Sequence, residues 1–262
     1  MSAETGYYGV RLTLRATGVL TFRRMPSAIL HISTYPFVPP STLSGWLRRL
    51  YLMALGIYPD TAVDKPDYFV MPQQYHVLGA YPSPDPMASF EIHTAKRQGV
   101  RAFNHNAFSR VSGSRDKKEV YQLHTWEYLL SERFVGFVLH SECEPLERIA
   151  NLQNYGCKIG KEGYAFLEDV SPVQWYERCT TQQRPHVPAT GRELVGKPAD
   201  LFVAYRHVYS KKQPLDGDPA SLEPSQIDGY SLIWLGWPAQ GIEMEYFSDG
   251  ASLIPVGIVE EF

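Results

Sequence analysis

From Tyr8 to Phe22 apolar and polar positions alternate, with Val10, Leu12 and Leu14 set against Arg11, Thr13 and Arg15. A period of two carried by β-forming residues predicts an opening strand. Arg23 and Arg24 follow, and then SAILHISTYPFVPP, where Pro36, Pro39 and Pro40 keep the chain extended. At Leu43 the period changes. Leu43, Trp46, Leu47, Leu50 and Tyr51 recur at helical spacing, which predicts a helix capped by Ser41 or Thr42, closed by Gly56 and carrying Arg48 and Arg49. A strand is predicted near Tyr75 to Tyr81, and the apolar run Phe134 to Leu139 reads as a buried central strand. Pro145 opens a short helix, PLERIANL. Gly156, Gly160 and Gly163 then punctuate a turn before a strand at Tyr164 to Val170.

The resulting order is βαββαβ with an insertion between the second and third strands. It predicts an α+β fold with a ferredoxin-like core, the RRM-like arrangement used by RNA-recognition domains. Fold alone does not fix function. Past residue 180 the character shifts. TTQQRPHVPATGRE reads as a polar connector and Lys211 to Ile227 as a loop. Strands are predicted at Leu201–Tyr209, Tyr230–Trp237, Ile242–Phe247 and Ala251–Ile258. The expected division is therefore a domain at 1–180, with its insertion at about 90–126, and a C-terminal β-rich region at 181–262.

Composition narrows the classes. With 262 residues, 44% hydrophobic and 20% charged, the chain has the balance of a folded globular protein. Its three cysteines, Cys143, Cys157 and Cys179, lack CxxC spacing and suggest a reducing, cytoplasmic setting. The start MSAETGYYGV is not that of a secretory signal, and apolar runs such as Leu50 to Leu55 are too short to cross a bilayer, so no membrane partner is expected. The net charge of −3 hides an asymmetry. Ile92 to Lys118 holds seven basic residues and one acid, a net of +6, which leaves −9 on the remainder.

That segment is the main chemical signal. Lys96, Arg97, Arg101, Arg110, Arg115, Lys117 and Lys118 interleave with Asn104, His105, Phe108, Phe103 and small residues. Cations neutralise phosphates, aromatic rings stack on bases, and small residues let a backbone approach. A solvated basic loop would carry the same charge, but the aromatic interleaving and the acidic remainder favour RNA. A second candidate is the start of the predicted helix, where Ser41, Thr42 and Ser44 lie close in sequence to Arg23, Arg24 and Arg48. Taken alone, those residues are better read as a plain capped helix. Gly160-Lys161-Glu162-Gly163 lacks the GxxxxGK[ST] spacing of a P-loop and reads as a turn. No HExxH, CxxC or GxSxG occurs, and Glu168 and Asp169, adjacent on a strand, face opposite sides. No metal, other cofactor or catalytic residue is expected.

Three stretches together carry a resemblance: FRRMPSAILHISTYPFVPPSTLSGWLRRL at 22–50, the basic insertion, and FVGFVLHSE through KIGKEGYAFLEDVSPV at 134–173. They resemble the Cas-five family of CRISPR-associated proteins, members of the RAMP superfamily, over about residues 8–175. The PFVPPSTLSGW segment is the more specific and KIGKEG the less. The resemblance implies a non-catalytic subunit of a type I Cascade complex that binds the 5′ handle of the guide crRNA and caps the backbone in antiviral defence. It implies a thumb hairpin at 90–126. It also implies the Cascade backbone and large subunits as partners, with target DNA near the PAM within reach. The handle would lie near the first helix and the thumb base, which gives Arg23, Arg24, Ser41, Thr42, Ser44 and Arg48 a role. A type I-C-like branch of the family cuts the crRNA precursor with a tyrosine, a lysine and a histidine. Tyr51 is the possible counterpart of the tyrosine. Lys117-Lys118 stands where a Lys-His pair is expected, and His124 lies further on, which makes metal-independent endoribonuclease activity the alternative.

Overall fold

A computed structural model describes residues 6–24, 31–57, 69–82, 90–100, 121–212 and 217–262, with the backbone alone at 97–100 and 121–124. The fold is a mixture of α and β in which strands predominate. The alternating opening segment forms β1 (Tyr7–Ala16), with Val10, Leu12 and Leu14 buried as the pattern requires. It ends six residues before Phe22, the expected end. Beyond it Leu20, Thr21 and Arg23 make only isolated bridges, to Leu129, Glu162 and Thr34. β2 (His31–Ile32) lies in the extended proline-rich stretch, and α1 (Pro40–Ala54) follows. Leu43, Leu47 and Leu50 on α1 are fully buried, and Gly56 at φ +73° closes the helix.

β3 (His76–Pro82), β4 (Phe90–Val100), β5 (Tyr121–Ser131) and β6 (Arg133–His140) come next. The expected PLERIANL helix divides into α2 (Glu144–Glu147) and a 3-10 segment, Arg148–Leu152. β7 (Gly156–Lys158) and β8 (Tyr164–Val170) flank the glycine-rich turn.

β1 pairs antiparallel with β6 on one side and with β8 on the other, and β3 pairs antiparallel with β6. These four strands therefore lie in the order β8-β1-β6-β3. α1 packs over their centre, where a Cβ at Gly136 would sit 3.3 Å from Leu43 Cδ2.

The chain past 170 is woven into this sheet. β9 (Gln174–Gln183) runs through residue 180 and pairs with Tyr7–Gly9 of β1. The first residues of the expected connector, TTQQ, are thus strand. β10 (Ala189–Thr190), β11 (Ala199–Tyr209) and β12 (Ile227–Pro238) make a second sheet in the order β10-β12-β11. β13 (Ile242–Ser248) pairs with β9, and β14 (Leu253–Pro255) with β13. The strand expected at Ala251–Ile258 stops at Pro255, and α3 (Val256–Glu261) takes over. Val187, Ala204, Leu235, Phe247 and Ile254 share one buried cluster with Leu12 and Leu47, so both halves of the sequence build a common core. The second sheet is pinned by aromatic contacts: Phe37 meets Phe202 and Trp237 edge-on, at 5.4 and 5.5 Å between ring centroids.

β4 and β5 pair antiparallel over eleven residues each, from Phe90 opposite Ser131 to Val100 opposite Tyr121. β2 lies parallel to the middle of β5, with His31 opposite Thr125 and Ile32 opposite Trp126.

Candidate nucleic-acid interface

The segment from Leu20 to Arg24 threads between three partners. Leu20 exchanges backbone hydrogen bonds with Leu129 of β5, Thr21 with the 161–162 turn, and Arg24 N–H donates to Ser33. Leu20 and Phe22 point into the core, while Arg23 and Arg24 are exposed. Glu127 on β5 locks the arrangement: its carboxylate accepts from Thr34 N–H and contacts His31 Nε2, each at 3.0 Å. Its carbonyl accepts from Thr21 Oγ1.

The KIGKEG turn lies against this segment. A Cβ at Gly160, at φ +65°, would come within 2.7 Å of Phe22 Cδ1, and one at Gly163, at φ +111°, within 2.4 Å of Leu20 Cδ2. Only glycine satisfies both the left-handed backbone and the close approach. The consequence is positional. Lys158 and Lys161 emerge exposed, and Lys161 Nζ sits 5.2 Å from the centre of the Trp126 ring. Trp126 in turn stacks on Tyr128, two residues along the same strand face, with an interplanar angle of 19°. Burial first, and then the nearby charges of Arg23 and Lys158, push the Lys161 ammonium below its ordinary pKa, while Glu162 opposes them. Three cations and an aromatic pair thus converge at the base of β4–β5. Such a surface can neutralise phosphates, and the half-buried Tyr128 ring can receive a base, while Trp126, 7% exposed, backs the lysine.

Of the residues expected at the interface, Arg23 belongs to this cluster. Arg24 stands over the Phe202 ring at 5.2 Å, on the side of the second sheet. Lys96 is exposed on β4. Its neighbour Ala95 is opposite Trp126, so Lys96 lies on the other face of the strand pair. Arg97 stands opposite His124 in register. Arg101, Asn104, His105, Phe108, Arg110, Arg115, Lys117 and Lys118 lie outside the described residues.

The start of α1 corrects the expectation. Its cap is Pro39, in extended conformation, with Pro40 in the first turn and no side-chain capping bond, so neither Ser41 nor Thr42 caps it. Both are half-buried. Ser44 is buried and its hydroxyl accepts from Met71 N–H at 3.0 Å. Arg48 is 3% exposed, and its guanidinium donates to the carbonyls of Asp218, Ser221 and Glu223. Ser44 and Arg48 therefore spend these polar groups on Met71 and on the 217–226 loop. The exposed arginine of the pair is Arg49, whose charge reaches Cys157, next to Lys158. Sequence reasoning missed Lys158, Lys161 and Trp126. The available signal was the glycine spacing, which marks a turn held tightly enough to aim its lysines.

Tyr51 lies 7% exposed in the core with its hydroxyl unpartnered, and burial drives its pKa upward. Among the described residues no group of three or more His, Cys, Asp or Glu is placed to hold a metal, and no helix is long and apolar enough to cross a membrane.

No family model and no curated protein matches the chain. Three solved structures similar to it are CRISPR proteins or chains of CRISPR complexes, at low identity and low TM-score. One is a CRISPR protein from Archaeoglobus fulgidus (11% identity, TM-score 0.37, covering 94% of this chain and 97% of that one). A second is a chain of a type III-B Cmr-β complex bound to cognate target RNA and AMPPnP (9%, TM-score 0.40, 89% and 86%). A third is a chain of a CRISPR RNA-guided surveillance complex (13%, TM-score 0.33, 97% and 92%).

Proposed function

We propose that this chain is a non-catalytic RNA-binding subunit of a type I CRISPR effector complex, one that grips the 5′ handle of the guide RNA and caps the protein backbone. The observation that carries the reading is the gathering of Arg23 and Lys158 around Lys161, which itself lies over Trp126 at the base of β4–β5. It supplies, within the described residues, what the basic insertion supplies in sequence: cations beside an aromatic ring on an otherwise acidic chain. In this reading β8-β1-β6-β3 with α1 and α2 is a ferredoxin-like βαββαβ core. The β4–β5 pair is the thumb that reaches the neighbouring subunit, and the second sheet is an elaboration of the core. Buried Tyr51 has no part in chemistry here.

The test is to mix the full chain with a guide precursor carrying its repeat, in chelator, and to resolve binding and cleavage on gels. Salt-sensitive binding without cutting supports the proposal. A discrete cut within the repeat overturns the non-catalytic assignment. Absence of binding both alone and after co-purification with a backbone subunit overturns the RNA reading.

A further inference from the structure

The second sheet is apolar on both faces. In register, Phe202 and Ala204 of β11 stand opposite Leu235 and Ile233 of β12, and this face closes on the core, where Ala204 and Leu235 are buried. On the other face Val203 stands opposite Trp234, Tyr205 opposite Leu232, and His207 opposite Tyr230. Tyr205 and Tyr230 meet there edge-on, at 6.1 Å between ring centroids. A strand pair with one face in the core and one in water normally alternates apolar with polar positions. Here the outward positions from Leu201 to His207 and from Tyr230 to Trp234 hold no Asp, Glu, Lys or Arg.

The size of the patch sets what can cover it. Leu201, Tyr230, Leu232 and Trp234 are 43–61% exposed. At roughly 150–250 Å² for each large side chain, they leave on the order of 400 Å² of apolar surface in one place, as much as a monomer ordinarily shows. Two such patches face to face would bury about 800 Å² from these four side chains. With the half-buried Val203 and Tyr205 between them the area reaches the order of 1,000 Å², where specific interfaces begin.

We infer that this face docks a second copy of the chain about a two-fold axis at Leu232. On the outward side of β12, Tyr230 and Trp234 lie one position on either side of Leu232. The axis therefore sets Leu232 on its own counterpart and Tyr230 of each copy against Trp234 of the other, a self-complementary pairing. Two twisted sheets pack in this way, about 10 Å apart, with their side chains interdigitated. A face without charge gives an acidic or basic partner nothing to pair with, whereas a second copy supplies the same apolar and aromatic surface. The inference does not rest on the RNA reading, because the face shares no residue with the Lys161 surface.

The experiment is sedimentation equilibrium of the full chain, free of RNA, from about 1 to about 100 µM. An interface at the small end of the range should give a dimer with a Kd on the order of 10 µM. Leu232→Glu and Leu232→Lys each set like charges against one another at the axis, so each variant should stay monomeric, and an equimolar mixture of the two should re-form the dimer. Circular dichroism checks their fold. Trp234→Thr, which keeps a β-forming residue, decides the matter if either fails to fold, and should weaken the dimer at least tenfold. Lys161→Ala should leave the Kd unchanged. A chain that is monomeric at about 100 µM, a dimer that survives the folded variants, or a mixture that stays monomeric overturns the inference.

Discussion

The start of α1 and the turn at 158–163 each place a serine or glycine close in sequence to a basic residue, and the two segments dispose of their polar groups in opposite ways. On α1 the polar side chains turn inward. Ser44 receives Met71 N–H, and Arg48 spends its guanidinium on three carbonyls of the 217–226 loop, more than 165 residues away in sequence. In the turn, two glycines take up the close contacts with Leu20 and Phe22, and the lysines are left outside, one of them over Trp126. A cation on a helix that half-resembles a binding motif became a structural strap. Cations in a glycine-punctuated turn were left exposed. What decides between these fates is the neighbour that the fold brings in. The comparison predicts that substitutions in the first segment change stability and spare RNA binding, and that removing the lysines of the second does the reverse.

Arg48→Met should have the largest effect. It leaves three part-buried carbonyls without their donor, each costing on the order of 1 kcal/mol, so unfolding free energy should fall by about 3 kcal/mol. Urea denaturation measures that loss, and filter binding on the folded fraction should show unchanged RNA affinity. A stable Arg48→Met protein with weak RNA binding would erase the distinction.

Acid should act on the inward region next. Burial lowers His76 and His207 from the usual 6.5 to about 4. Between those values the unfolded chain binds more protons than the folded one. Stability is therefore full above pH 6.5 and declines as pH falls to 4, by about 3 kcal/mol for each ring. His207→Phe should remove one ring's share of the slope in denaturation curves taken from pH 7 to pH 4. An unchanged slope would show that His207 is already solvated.

Gly163→Ala tests the scaffold of the outward region. Its Cβ would fall 2.4 Å from Leu20 Cδ2 on a backbone at φ +111°. We expect a loss of about 2 kcal/mol in stability together with weaker RNA binding, because the turn must move to relieve the clash. A calorimetric scan and a titration on the same sample separate the two effects.

The sequence carried much of the frame. Alternation placed β1, helical spacing placed α1 and its end at Gly56, an apolar run placed β6, and the glycine-punctuated turn placed β8. What it could not carry was long-range. β1 stops at Ala16 because the chain must leave the sheet to bridge Leu129 and Glu162 in turn. Ala251–Ile258 keeps a strand-like composition, yet it bends into a helix at Pro255, where a proline can begin a helix but not continue a ladder. Arg48 looked like a phosphate contact because arginines on a first helix usually face solvent. Its burial depends on Asp218, Ser221 and Glu223, which no local pattern connects to it. Trp126 carried no local signal, because its partner, Lys161, lies 35 residues further along the chain.

Lys161→Ala is the smallest and sharpest test of the contrast. The side chain is exposed and its main contact is a ring face, so its removal should change stability by no more than about 0.5 kcal/mol. Its contribution to RNA binding is one neutralised phosphate plus the closure of a stacking surface, which together should cost about three- to tenfold in affinity at moderate salt. The diagnostic quantity is the slope of log affinity against log salt. Losing one phosphate contact to single-stranded RNA should flatten it by about 0.7. Trp126→Leu removes the ring but not the charge, so it should weaken binding and leave that slope in place. If Lys161→Ala and Trp126→Leu both leave affinity unchanged while Lys96→Ala lowers it, RNA runs along the opposite face of β4–β5, and the turn holds its lysines out for a protein neighbour instead.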